Sequence, residues 1–69
     1  MYILTTCLNG ELDAQLIEKY DKAMEHLEGE YNNVLADNEY IEEAFLDKRE
    51  SFYIRNQFDE EFVGKIIAA

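Results

Sequence analysis

Asn9-Gly10-Glu11-Leu12-Asp13-Ala14-Gln15-Leu16-Ile17-Glu18-Lys19-Tyr20 is the stretch on which the fold turns. From Glu11 onward, Leu12, Leu16, Tyr20, Ala23, Met24 and Leu27 recur every three or four residues, with Ile17 widening the stripe. That period predicts an amphipathic helix. Asn9 is placed to cap it, Glu11 and Asp13 suit the positive end of its dipole, and Gly29 is placed to stop it.

Working outward, Tyr2 to Leu8 is rich in β-branched and aromatic residues and ends at the Asn-Gly turn signal, so a strand is expected there. Residues 30–35 fit a loop, a short strand or a resumed helix equally well. A second helix is expected from Asn38 to Lys48, capped by Asp37 or Asn38 and burying Tyr40, Ile41, Ala44 and Phe45. Ser51 to Asn56 alternates Phe52 and Ile54 against Tyr53 and Arg55, as a half-buried strand does. The tail from Gln57 or Phe58 returns to helical spacing through Phe62, Val63, Ile66 and Ile67, with Asp59, Glu60 and Glu61 in its first turn. These elements predict a single α+β domain over residues 1–69, in order β-α-α-β-α. The two strands pair antiparallel and the helices cover one face; an all-α helical bundle is the alternative.

Composition sets the remaining limits. Of 69 residues, 48% are apolar and 13% aromatic, with no proline, which argues for a folded chain in spite of the charge. A domain this small buries only about 60% of its unfolded surface, and its core is thin. One cysteine, Cys7, and one histidine, His26, exclude a disulfide framework or a Cys/His zinc site within the chain. Self-association into a homodimer, or docking onto a larger protein, is the expected supplement to stability. Met1 to Leu8 is apolar but has no basic residue before it, so neither a signal peptide nor a membrane span is expected. The unpaired cysteine suits a reducing cytoplasm, that of a host cell if the source is viral.

Sixteen carboxylates against six Lys and Arg give a formal net charge of −10. On the expected helices the acids form two stripes: Glu18, Asp21, Glu25 and Glu28 on the first, and Glu39, Glu42, Glu43 and Asp47 on the second. Residues three and four apart have Cβ atoms about 5–6 Å from each other, a spacing of the same order as successive phosphates in a nucleic acid strand. Such a field repels nucleic acid and anionic membrane and attracts basic protein surfaces.

The other constellations are weaker. His26 lacks a nucleophile with an orienting third group, Cys7 sits between Thr6 and Leu8 without a nearby cation and is read as core packing, and the acid clusters lack EF-hand spacing. Lys48, Arg49 and Arg55 are too few for a nucleic-acid surface. No catalytic residue, metal or cofactor is assigned, and an enzyme is not expected. The leading expectation is an acidic protein-binding inhibitor or adaptor, a nucleic-acid mimic of the kind phages use against host nucleic-acid-binding proteins, with the two acid stripes as its contacts. The competing expectation is a structural or regulatory subunit, antitoxin-like or oligomerising, that binds through apolar and tyrosine residues such as Tyr31, Tyr40 and Tyr53.

Overall fold

The computed structural model describes all 69 residues, Met1–Ala69. Five strands and one helix follow in the order β1 (Tyr2–Leu8), β2 (Glu11–Ile17), α1 (Tyr20–Asp37), β3 (Ile41–Asp47), β4 (Ser51–Asn56) and β5 (Glu61–Ala68). The strands form one antiparallel sheet, order β2-β1-β5-β4-β3, with α1 packed on one face. The architecture is α+β, as expected, but β-β-α-β-β-β rather than β-α-α-β-α, and the all-helical alternative is excluded.

β1 lies where its β-branched and aromatic content placed it, and β4 where its alternation did. They are not partners: β5 runs between them and is antiparallel to both, so β1 and β4 run parallel to each other. Glu11 to Ile17 is a strand, not the start of a helix. Asn9 and Gly10 have φ of 52° and 89°, the paired positive values of a two-residue type I′ hairpin turn, and such a turn aligns the next residues directly against β1. The helical spacing of Leu12 and Leu16 is also a multiple of two, and the register puts both on one side of β2 opposite Cys7 and Ile3.

α1 starts at Tyr20 and runs through Gly29, which is exposed and mid-helix rather than a stop. Residues 30–36 continue the same helix. Its buried residues Ala23, Leu27 and Val34 fall four and seven apart on one face, and they close over Leu4, Ile17, Phe52 and Ile54. Asn38 ends the helix, its Nδ2 donating to the Val34 carbonyl at 2.8 Å.

The expected second helix, Asn38 to Lys48, is β3 with its preceding loop, joined to β4 by a tight turn. There Lys48 and Arg49 adopt φ of 52° and 59°, and the Glu50 amide donates to the Asp47 carbonyl. The expected tail helix is β5. Phe62, Gly64 and Ile66 face α1 while Val63, Lys65 and Ile67 face away, and apolar residues on both faces erase the period-2 signal. Gly64 sits under the Phe52 ring, where a Cβ would come within 2.8 Å of Cδ2 and 2.9 Å of Cζ. The ring can lie flat against β5 only because that position has no side chain.

One helix cannot cover five strands on both sides. The second face of the sheet is open, leaving Leu12 at 84%, Leu16 at 66% and Phe45 at 61% exposed. Cys7, expected in the core, is half-buried on this open face, opposite Leu12 and Val63. No helix is long and apolar enough to cross a membrane.

Candidate acidic binding surface

The eight carboxylates singled out in the sequence do not form two helical columns. Asp21, Glu25 and Glu28 share one face of α1, as their spacing of four and three requires. Glu18 lies in the connection before the helix. Glu39 lies in the loop before β3, Glu42 sits in the β-bulge between Ile41 and Glu43 at the start of that edge strand, and Asp47 stands at its other end opposite Ser51. At about 3.3 Å per residue, Asp47 is about 13 Å along the strand from Glu43. As charges on an edge strand, these residues also discourage strand addition by another chain.

Partial neutralisation separates the groups further. Glu25 pairs with Lys22 at 3.2 Å and Glu28 with Arg49 at 3.2 Å, so the column on α1 is the weaker half of the field.

The densest acid lies elsewhere, at the end of the sheet where β3 begins and β4 turns into β5. Glu42, Glu43 and Asp59 converge on one guanidinium, that of Arg55, at 2.9, 3.3 and 3.5 Å. Hydrogen bonding and charge, from Glu43 first and Glu42 second, hold Arg55 still more firmly protonated than usual. Glu60 is held from two sides, accepting from Asn9 Nδ2 at 2.8 Å and from Asn56 Nδ2 at 2.8 Å. Glu61 accepts from the Tyr53 hydroxyl at 2.7 Å.

Asn56 organises this end. Only 3% exposed, it donates to Asn38 and Glu60, and its Oδ1 accepts from the Phe58 and Glu60 amides at 3.0 and 3.1 Å. It therefore shapes the β4–β5 turn and anchors one of its carboxylates. Asp59, with φ 60°, completes the turn, and Tyr40 packs edge-on against Phe58 beside it, ring centroids 6.2 Å apart. No three His, Cys, Asp or Glu side chains converge closely enough to hold a metal ion.

Sequence reasoning placed Asp59, Glu60 and Glu61 in the first turn of a helix and did not count them as contacts. The available signal was Asn56-Gln57 immediately before them, a polar break after a strand. Of the tyrosines weighed as contacts, Tyr31 packs into the core against Phe52, Tyr40 is exposed beside Phe58, and Tyr53 lies half-buried on the open face.

Tyr53 gives a pH signature. Its hydrogen bond to Glu61, with desolvation and the Glu61 charge, raises its phenol above the usual value. The folded value being the higher, any stabilisation from the bond is fully present below pH 10 and fades as pH rises through the raised value. A 295 nm titration should therefore show two late-ionising tyrosines, of which one is lost on Tyr53→Phe and moves earlier on Glu61→Gln. Tyr20, pushed up to about 12 beside Glu50, remains in the profile as an internal reference.

The arrangement offers fixed negative charge and hydrogen-bond acceptors. No protein-family model matches the chain, and no curated protein or solved structure matches it.

Proposed function

We propose that this chain is a protein-binding inhibitor or adaptor that occupies a basic surface of its partner, its carboxylates standing where the phosphates of a nucleic acid would sit. The observation that carries this reading is the acidic end of the sheet. Glu42, Glu43 and Asp59 are gathered around Arg55, Glu60 is held by Asn9 and Asn56 and Glu61 by Tyr53, and Glu39 lies in the loop before β3. Carboxylates already held in position lose little freedom on meeting a partner, so more of the charge attraction is kept as affinity. Asp21, Glu25 and Glu28 on α1 extend the negative field toward the same partner. A net charge of −10 also speeds encounter with a basic protein and disfavours a direct nucleic-acid ligand.

The test neutralises charge without removing shape. Glu39→Gln, Glu42→Gln and Glu60→Gln together should leave the fold intact by circular dichroism and reduce capture of basic proteins from a cell lysate at least about tenfold, at the lower end of the effects seen for close charge pairs at interfaces. Undiminished capture by the triple variant would contradict the reading.

A further inference from the structure

We propose that the open face of the sheet is the seat of a second copy of this chain, packed sheet on sheet about a two-fold axis that runs across the strands. The proposal shares Glu61 with the acidic-end reading but does not rest on it, and the test of that reading uses Glu39, Glu42 and Glu60 instead.

The register lays the open face out in rows. Leu12, Cys7, Val63, Tyr53 and Phe45 are successive cross-strand partners and form one row across all five strands. At about 4.8 Å per strand this is an apolar line about 19 Å long. Leu16, Ile3 and Ile67 form a second apolar row toward one end. A groove of about 670 Å³ lies along the central row, between Leu12, Cys7 and Val63 on one side and Ala14, Lys65 and Ser51 on the other. Exposed apolar surface of this continuity marks a contact site. The face measures about 24 by 20 Å, which puts a face-to-face contact at the small end of the interface range, among weak and transient contacts.

Two charged residues of the central strand β5 select the occupant and its orientation. On one side of the apolar row lies Lys65, which has no ion-pair partner within the chain. On the other side lies Glu61, held in place by Tyr53. A two-fold axis along β5 would set Lys65 on Lys65 and Glu61 on Glu61. An axis along the apolar row instead sets each Lys65 opposite the Glu61 of the other copy, twice, while the row packs on itself. Sheets stacked this way cross at about 30°, and residues of the central strand are displaced least by that rotation. On the central strand the charges are thus complementary in one orientation only; the same axis also faces Asp47 of β3 with Glu43 of the other copy, about 10 Å from the centre, where the crossing angle draws this like-charged pair apart.

The sign of the salt effect follows. Two copies at −10 repel, so screening this repulsion should strengthen the dimer, whereas it should weaken capture of a basic partner. Sedimentation equilibrium at 1–500 μM, in 0.1 and 0.5 M NaCl, should show the mass rising from 8.1 kDa toward twice that value, further at the higher salt. Val63→Lys should abolish the rise. Lys65→Glu and Glu61→Lys should each raise the dimer Kd about tenfold or more, and the two together should return it to within about threefold of the parent, since the pairing is then restored with its signs exchanged. Circular dichroism checks that each variant is folded, and Lys65 and Glu61, both exposed, serve if Val63→Lys fails to fold. A monomer at 500 μM in 0.5 M NaCl overturns the proposal. So does a dimer that ignores the single charge reversals, or one that the double reversal fails to restore.

Discussion

Asn56→Ala is expected to destabilise the domain by about 2–4 kcal/mol, since it orphans two backbone donors and releases two side chains that a single buried amide now holds. The donors are the Phe58 and Glu60 amides, and the side chains that lose this hold are Asn38 and Glu60, the latter keeping only its bond from Asn9. A domain of this length has only about 3–10 kcal/mol in hand, so chemical denaturation should show the midpoint falling by a large fraction. Asn56→Asp separates the two halves of the effect. It keeps the acceptor for both amides but loses both donors and sets a second carboxylate against Glu60. Repulsion raises the folded pKa of the pair above its unfolded value, so the penalty is absent below about pH 4 and grows as pH rises through the raised value. A variant whose stability is independent of pH between 3 and 7 would show that Glu60 does not depend on Asn56.

The other large effect is in the core. Ile54→Ala removes a side chain that is fully buried between α1 and the neighbouring strands, and large-to-small changes of this kind cost about 2–5 kcal/mol. With only seven buried apolar residues in the core, there is little surrounding mass to relax into the space. The upper half of that range is expected, leaving a substantial unfolded fraction at 37 °C by circular dichroism. A loss below about 1 kcal/mol would mean that α1 settles onto the sheet without Ile54, contrary to the packing described above.

These two residues also show how far the chain could be read from its letters. β4 was legible because its faces differ: Phe52, Ile54 and Asn56 are buried while Tyr53 and Arg55 are less so. β1 was legible from its β-branched and aromatic content. β2 and β5 were not, and for different reasons. In β2 the leucines at 12 and 16 satisfy a period of two and a period near four alike, and only the left-handed Asn9-Gly10 turn decides between them. In β5 both faces are apolar, because one meets α1 and the other lines the open face. The acids Asp21, Glu25 and Glu28 share a helical face as their spacing required. The Arg55 cluster brings together residues from β3, β4 and the β4–β5 turn, and that convergence depends on the β3–β4 pairing, which the helical reading of residues 38–48 had removed. The open apolar face was hidden in the same way, since reading β2, β3 and β5 as helices left Leu12, Phe45 and Val63 with no common sheet face.

The most direct measurement is the salt dependence of partner capture, with the protein immobilised and washed from 0.1 to 1 M NaCl. Over that range the screening length falls from about 10 Å to about 3 Å. If the fixed carboxylates supply the affinity, retention of the captured protein should fall by orders of magnitude, and duplex DNA or RNA added at low salt should displace it. A partner that stays bound at 1 M NaCl and ignores competing nucleic acid would contradict the account, because burial of apolar surface, not charge, would then be holding the complex together.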